Sequence, residues 1–571
     1  MSMSTRWVFK PEPGREAASR LAGELGIDPL LAGLLVQRGI RDFESARRFF
    51  RPELSHLHDP MQMQDMEQAV DRLEVALTRG ERILVYGDYD VDGTTSVALM
   101  AAYLREYSDA VATYIPDRYR EGYGLSRQGI EFADDNGMGL IVALDCGVKA
   151  IEQARYARSK GIDLIICDHH RPGETLPEAV AVLDPKRDDC PYPYKELCGC
   201  GVGFKLIQAL HERRGLDPAE LLPYLDLVAT AIGADIVPIT GENRVMVHYG
   251  LQVINGGARP GIRALLRGLD RKNYQVSDLV FRVAPRINAA GRMQHGEDAV
   301  RLLTETDPAR AGALADEIES LNSQRRETEQ AITDEALEMV RSEGGEARMS
   351  TVVFKEDWHK GVIGIVASRL IETYYRPTLV FTRSGDKLAA SARSVRGFDL
   401  YEALEACSDC IEQFGGHTYA AGLTLEASRF QDFKDRFEKV VSERITEDSL
   451  TPEIQIDLKI HLSQIHPKLV RILSQFGPFG PGNPAPVFVA GPLVDTGYAR
   501  TVGEGGAHLK LAVTQDGSGP IGGIGFGLGD RLDLIQGGRE FYAVFSIEEN
   551  HWQGRTSTQL KIRDIRDAAP D

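Results

Sequence analysis

Short apolar runs alternate with stretches of helical spacing through the first half of the chain. Helical spacing over residues 66–79 precedes the run 83–86, spacing over 95–107 leads to the run 110–115, and the runs 140–144 and 164–167 are separated by helical spacing over 149–160. Aliphatic and β-branched runs of this length read as buried strands, and the repeated strand–helix units predict an α/β fold with a doubly wound, mainly parallel sheet. In such sheets ligands gather at the carboxyl ends of the strands. Residues 1–60 carry helical spacing over 15–25 and 29–38 up to a breaker at Pro52, a preface that braces a domain or touches a partner.

Helical spacing resumes over 298–303 and, after Pro308, runs through Ile318, Leu321, Ile332, Leu337 and Val340 to Gly344-Gly345. It predicts a long connecting helix. A second, smaller α/β pattern follows, with runs at 350–354, 378–382 and 387–392 and helical spacing over 361–374 and 400–414. Beyond residue 450 the breaker-rich segment 478–486 gives way to short runs at 487–490, 494–498, 508–513, 521–526, 542–547 and 559–565, separated by Gly-rich turns. These predict a small β-barrel. The predicted domains are a helical preface (1–60), the first α/β domain (61–295), the connecting helix (296–346), the second α/β domain (347–449) and the barrel (450–571).

With 571 residues, 43% hydrophobic and 26% charged, the composition is ordinary globular material. The net charge of −18 argues against a general nucleic-acid coat and leaves room for a local basic groove. The N-terminus lacks the apolar core of a signal peptide and no run nears the roughly 18 apolar residues of a membrane helix, so a cytoplasmic protein with no membrane contact is expected. Seven cysteines, odd in number and sparse, argue against a disulfide framework. Cys198-Gly-Cys200 and Cys407-Ser-Asp-Cys410 lack the paired spacing of a structural zinc site, and buried thiols are expected instead.

The polar punctuation after these runs changes the picture. Asp88, Asp90 and Asp92 follow the run 83–86, Asp145 follows 140–144, Asp168-His169-His170 follows 164–167, and Asp235 follows the more helix-like run 225–232. An acid in a strand-to-helix turn commonly caps the next helix, a task that Thr94, Thr95 or Ser96 could share. Four such segment ends, one with a His pair, instead aim Asp88, Asp90, Asp145, His169, His170 and Asp235 at one side of the sheet. Carboxylates with imidazole suit two divalent metal ions, Mn²⁺ or Mg²⁺, and a two-metal site suits phosphoryl displacement. Asp145 is the natural carboxylate to bridge the pair. Arg118 and Arg120, among the tyrosines of 116–126, suit a backbone contact beside a stacking platform for unpaired bases.

Y-G-D-Y-D-V-D-G-T-T-S, L-D-C-G, D-H-H and G-A-D-I-V-P, in that order, resemble the motifs of the DHH phosphoesterase superfamily. With Arg286-Ile-Asn-Ala-Ala-Gly-Arg292, Ser391-Ala-Arg-Ser394 and Gly415-Gly-His-Thr-Tyr-Ala-Ala-Gly422, the chain from about residue 60 onward resembles the RecJ family of single-strand-specific 5′→3′ DNA exonucleases. The resemblance implies a DHH core, a DHHA1-like second domain and an OB-like barrel that grips the strand, with His508, Lys510, Arg500 and Trp552 as candidate contacts. It implies metal ligation by Asp88, Asp90, Asp145, His169 and Asp235, with His170 touching the scissile phosphate or assisting a metal. Asp92 and Asp168 would orient these ligands by hydrogen bonds. Ser391, Arg393 and His417, with Arg286, Asn288 and Arg292, would hold the 5′ end and its phosphates, for which the Arg fork is suited.

The activity so implied is two-metal hydrolysis of single-stranded DNA from its 5′ end, releasing 5′-mononucleotides in recombination and repair. A small-substrate DHH phosphoesterase and a non-catalytic DHH scaffold are the alternatives; the long chain speaks against the first and the full set of candidate ligands against the second. A monomer partnered by a single-strand-binding protein and a helicase is expected.

Overall fold

The computed structural model describes residues 5–269, 271, 273–552 and 555–567. It divides into two compact units, Arg47–Arg325 with Gly477–Pro484, and Met1–Ala46 with Arg326–Phe476 and Ala485–Asp571. Strand β1 (Arg6–Phe9) belongs to the latter.

The unit that contains the aspartate-rich segments is built on five parallel strands: β2 (Ile83–Gly87), β3 (Val111–Tyr114), β4 (Leu140–Leu144), β5 (Asp163–Cys167) and β6 (Ala181–Leu183). Every residue of β2 and β4 is buried, as parallel strands covered on both faces require. The period of two divides them between two cores: Ile83, Val85, Leu140, Val142 and Leu144 enter one, Leu84, Tyr86, Ile141 and Ala143 the other. The strand order β3-β2-β4-β5-β6 reverses its direction of growth after β3, which sets the switch point between β2 and β4. In the register, Gly87 faces Leu144 and Leu144 faces Cys167. Asp88, Asp145 and Asp168 therefore leave three adjacent strands at one level.

Two local expectations change here. The helix predicted over 95–107 spans Val91–Leu104, because Asp90 itself is the N-cap: its Oδ1 accepts from the Gly93 N–H at 3.0 Å. Thr94, Thr95 and Ser96 lie inside the helix and turn their hydroxyls back onto the carbonyls of Asp90, Val91 and Asp92. Strand β6, three residues long, was too short to read from spacing.

In the other unit, β7 (Thr351–Phe354), β8 (Thr378–Ser384), β9 (Lys387–Arg393), β10 (Gln413–His417) and β11 (Ala420–Glu426) form a sheet of order β10-β11-β9-β8-β7. The helical reading of 400–414 is overturned. The helix stops at Glu405, a 3₁₀ turn covers Ser408–Cys410, and Gln413–His417 is an edge strand of a hairpin with β11. Gly415 and Gly416 lie within that strand, and a Cβ on Gly416 would overlap β11.

The C-terminal strands are β12 (Glu453–Ile456), β13 (Leu458–Lys459), β14 (Phe488–Asp495), β15 (Arg500–Val502), β16 (His508–Thr514), β17 (Ile521–Gly525), β18 (Phe541–Trp552) and β19 (Arg555–Arg566). Pairing of β14 with β16 closes β14-β18-β19-β17-β16 into a five-stranded barrel, the OB arrangement. The runs 487–490 and 494–498 merge into the one strand β14, with a register shift between Ala490 and Leu493. β1 pairs in parallel with β12, a partnership across the sequence that spacing could not reveal. The helix Pro308–Ser342 runs 35 residues. All seven cysteines are free and buried. Among the described residues no helix is long and apolar enough to cross a membrane.

Candidate metal centre

Asp88 leaves β2 and Asp145 leaves β4, side by side at the switch point, and both are buried. Asp145 sits at φ +58, outside the usual range for a residue with a Cβ, and its N–H donates to the Cys167 carbonyl at 2.8 Å. Gly199 makes room for it: a Cβ there would lie 2.5 Å from the Asp145 Cβ. Gly93 does the same for Asp88, because a Cβ would overlap the Asp88 backbone.

His169 stands among the carboxylates. Its Nε2 is 3.1 Å from Asp145 Oδ1, 3.7 Å from Asp235 Oδ2 and 3.8 Å from Asp92 Oδ2. Two overlapping sets, Asp145/His169/His170 and Asp92/His169/Asp235, bring their ligand atoms within 4.8 Å of one another. Asp88 Oδ1, Asp145 Oδ1 and His169 Nε2 are buried and lack a hydrogen-bond partner. Orphaned donors and acceptors of this kind are costly in a folded interior unless a further group completes them. Oxygen ligands with one or two imidazoles fit Mn²⁺ or Mg²⁺.

The electrostatics point the same way. Burial, then the charge of Asp90, pushes Asp88 well above the carboxylate range, and burial with Asp92, Asp90 and Asp235 does so for Asp145. Burial and the neighbouring acids raise Asp92 to about 6 and Asp235 to about 8. Crowded carboxylates reject one another's charge, and a bound cation relieves that conflict by supplying the missing opposite charge. Asp235 adds to the conflict, because it follows the C-terminus of the helix Leu225–Ala234, the negative end of its dipole. His169 is driven down to about 3, chiefly by burial and then by His170, and is thus the neutral imidazole that a metal ligand must be.

Supporting contacts fix these groups. Asp168 accepts from the N–H groups of Val148, His169 and His170 at 2.9, 2.7 and 3.1 Å, and its Oδ1 is 2.7 Å from His170 Nδ1. Burial opposes its ionisation, but the His170 hydrogen bond and charge outweigh that and hold it at about 2. Against its own burial, His170 is raised by the same bond. Asp92 accepts from the amides of Gly199 and Cys200 at 2.6 and 2.8 Å, at the N-terminus of the helix Gly199–Arg213.

The structure sorts the residues singled out from sequence. Asp88 and Asp90 both lie outside the two ligand sets, with one Asp90 oxygen capping its helix, whereas Asp92, expected to act through hydrogen bonds, belongs to one of them. Arg118 stacks over the Tyr89 ring at 4.3 Å, next to Asp88, while Arg120 lies exposed on the same segment. Arg286 is buried, paired with Glu319 and donating to the Arg282 carbonyl at 2.6 Å, so its guanidinium is committed within the protein. Asn288 and Arg292 are partly exposed on the same helix, Ala284–Met293, and Gly291 between them lies against the Tyr89 carbonyl.

Ser391 and Arg393 lie two apart on β9, and His417 shares a row with Arg393 through Ala420. Gly364, in the first turn of the helix Ile363–Tyr374, lies against both: a Cβ there would be 3.0 Å from Arg393 Nη2 and 3.2 Å from Ser391 Oγ. In the barrel, Arg500 and Lys510 face each other across β15 and β16, Arg500 stacks on Tyr498 at 4.5 Å, and His508 meets Phe526 edge-on at 5.2 Å. The side chain of Trp552 lies outside the described residues.

Two residues stand where the sequence did not place them: Tyr123, read there only as part of a stacking platform, and Asp184. The Tyr123 hydroxyl lies 3.2 Å from His170 Nε2 and 3.3 Å from the Asp145 carbonyl oxygen, which puts this phenol on the centre itself. Asp184 follows β6, wholly buried, with one oxygen accepting from the Lys186 N–H at 2.7 Å and the other unpartnered. Burial raises it to about 7, aided by Asp168. Its signal was the same acid-after-strand punctuation, hidden by the shortness of the run.

Family models match in three places: the DHH family N-terminal domain over 82–232, the DHHA1 domain over 347–443 and the RecJ OB domain over 456–564. The single-stranded-DNA-specific exonuclease RecJ of Bacillus subtilis (strain 168) is 37% identical over 569 residues, spanning 99% of this chain and 71% of that protein. Among solved structures, RecJ from Thermus thermophilus in complex with Mn²⁺ superposes with a TM-score of 0.84 at 30% identity, covering 98% of this chain and 79% of that one. The same protein in complex with Mg²⁺ gives a TM-score of 0.76 at 29% identity, covering 98% and 78%. The chain belongs to the RecJ family.

Proposed function

We propose that the chain is a single-stranded-DNA-specific exonuclease that hydrolyses phosphodiester bonds from the 5′ end and releases 5′-mononucleotides, acting in DNA recombination and repair. The observation that carries this reading is the convergence of Asp88, Asp145, His169 and Asp235, from four segments, with buried ligand atoms left unpaired. Two divalent cations, Mn²⁺ or Mg²⁺, supply Lewis acidity for the attacking water and for the departing oxygen when bound. Asp88, Asp90, Asp145, His169 and Asp235 are the residues that would hold them, and the two-set geometry adds Asp92.

The chain's own groups do the rest. Asp168 keeps His170 in one orientation by engaging Nδ1, which leaves Nε2 toward Tyr123 and available to a phosphate oxygen. The Gly199 and Cys200 amides hold Asp92 still, so that little reorganisation is needed when a substrate arrives. Arg118 and Arg120 contact the strand's backbone. Ser391, Arg393 and His417 bind phosphates, supported by the Gly364 helix start beside Arg393; Asn288 and Arg292 are phosphate-binding residues of the Asp-rich unit. Arg286 would serve this role only by exchanging Glu319 for phosphate.

The reading includes a single-strand-binding protein and a helicase as partners, because an enzyme that consumes free single-stranded ends depends on activities that expose them. It also includes a monomer located in the cytoplasm, where its DNA substrate would be; sedimentation velocity tests the monomer. The deciding experiment is digestion of 5′-labelled and 3′-labelled single strands, duplexes and a dinucleotide with and without Mn²⁺ or Mg²⁺. Release of labelled mononucleotide first from the 5′-labelled single strand is expected. Preference for the dinucleotide would instead identify a small-substrate phosphoesterase.

A further inference from the structure

The two most exposed large apolar side chains among the described residues flank one contact beside the metal centre. Phe281 is 79% exposed and Ile236 is 69% exposed. Ile236 directly follows Asp235, and Phe281 lies in the π-helical segment Leu279–Val283. The helix Leu225–Ala234 rests on that segment: a Cβ on Gly233 would lie 3.3 Å from Val276 Cγ1 and 3.4 Å from Val280 Cγ2.

Neither residue is where stability alone would put it. Ile236 sits at φ +62, a left-handed conformation that a β-branched residue adopts only at a cost, and it exposes its side chain to water there. Phe281 stands on a π-turn, a rare insertion that re-aims side chains and recurs at functional sites.

The stripe that contains Phe281 leads back to the phosphate-binding candidates. Along residues 276–293, Ser277, Phe281, Pro285, Asn288 and Arg292 are exposed or partly exposed and fall four, four, three and four apart. That spacing is one face of a helix. Its far end lies against the aspartate loop, where Tyr119 donates its hydroxyl to the Arg292 carbonyl and Gly291 touches Tyr89. One face therefore carries polar and cationic groups at one end and a bare aromatic ring at the other, about 10 Å from Asn288 at 1.5 Å per residue.

We infer that Phe281, with Ile236 beside Asp235, is an apolar platform on which a nucleobase of the bound single strand packs, positioning the strand against the metal centre without regard to base identity; this rests on the exonuclease reading above. The size of the surface selects this occupant. One Phe and one Ile offer a few hundred Å² at most, enough for the face of a base, whereas a stable protein interface buries about 1,200–2,000 Å². A base stacks on any aromatic face through its π-surface, which suits an enzyme that must accept every sequence.

The test uses the full chain with Mn²⁺ and the variants Phe281→Ala, Phe281→Trp and Ile236→Ala, on normal single strands and on strands with one abasic position moved along the first several nucleotides. Phe281 is solvent-exposed, so its replacement leaves the fold intact, which circular dichroism checks. Loss of one stacked base corresponds to roughly a tenfold rise in KM. Phe281→Ala is expected to show that rise with a smaller change in kcat, and Phe281→Trp to restore it. One abasic position should impose the same penalty on the unaltered protein and none on Phe281→Ala. The inference is overturned if Phe281→Ala treats normal strands as the unaltered protein does, or if every abasic strand is penalised equally in both. If the unaltered protein fails to degrade single strands at all, the exonuclease reading falls instead.

Discussion

Asp145 shows how much one residue is asked to do. It is buried at positive φ, lies against Gly199 and stands 3.1 Å from His169 with its Oδ1 unpartnered. Asp145→Asn keeps the shape and removes the charge, so single-strand binding should survive in a mobility-shift assay while hydrolysis falls on the order of 10³-fold or more. The raised acids around it make a pH statement. In the ion-free protein Asp235 titrates at about 8 and Asp92 at about 6, against 3.8 for an ordinary Asp side chain. Between those limits these two groups hold more protons in the folded chain than in the unfolded one, so their contribution to stability is fullest below pH 3.8 and is lost as pH rises through 6 to 8. Protein treated with a chelator should therefore melt at progressively lower temperature from about pH 5 to 8. Asp235→Asn should flatten that slope, and added Mn²⁺ should reverse it with release of protons, measurable by calorimetry in buffers of different ionisation enthalpy. A slope of opposite sign would contradict the crowded-carboxylate account.

At the scale of elements, the centre depends on how closely helices approach. The helix Gly241–Gly257 crosses the helix that ends at Asp235 through Gly250, whose added Cβ would overlap the Leu225 carbonyl and lie 2.5 Å from Ala229 Cβ. Gly250→Ala should cost about 1–3 kcal/mol in urea unfolding and weaken Mn²⁺ binding, because the helix carrying Asp235 must move. A variant as stable as its parent would show that the contact yields. Spacing located the strands β2 to β5 of the Asp-rich unit to within a few residues, since burial leaves uninterrupted apolar runs, but it passed over the helices Arg127–Asp135, Gly199–Arg213 and Gly241–Gly257. It failed over 400–414, where Ala, Leu and Cys keep helical spacing but β11 offers an open edge that Gln413–His417 completes. Tertiary pairing overrides local propensity in such places.

At the scale of the molecule, strand β1 and the end of β19 meet within one unit. Trp7 of β1 donates Nε1–H to Asp564 Oδ2 at 2.8 Å, Thr5 donates its hydroxyl to the same oxygen at 2.6 Å, and Arg566 stacks over the Trp7 ring at 4.4 Å. Trp7→Ala should lower the stability of this unit by about 3 kcal/mol, read as an earlier calorimetric transition and faster proteolysis of the barrel. The amino-acid sequence by itself determined the strands β2 to β5 of the parallel core and the acids that end them, because burial and strand termination are written in local pattern. It also carried the family resemblance through its spaced motifs. Only the tertiary structure decided which acids meet. The register at the switch point set Asp88 beside Asp145, and the N-terminus of a distant helix took hold of Asp92. Tyr123 was brought onto His170, and Arg286 was bound to Glu319. Each of these depends on contacts between segments far apart in the chain, whose distances no spacing along it encodes.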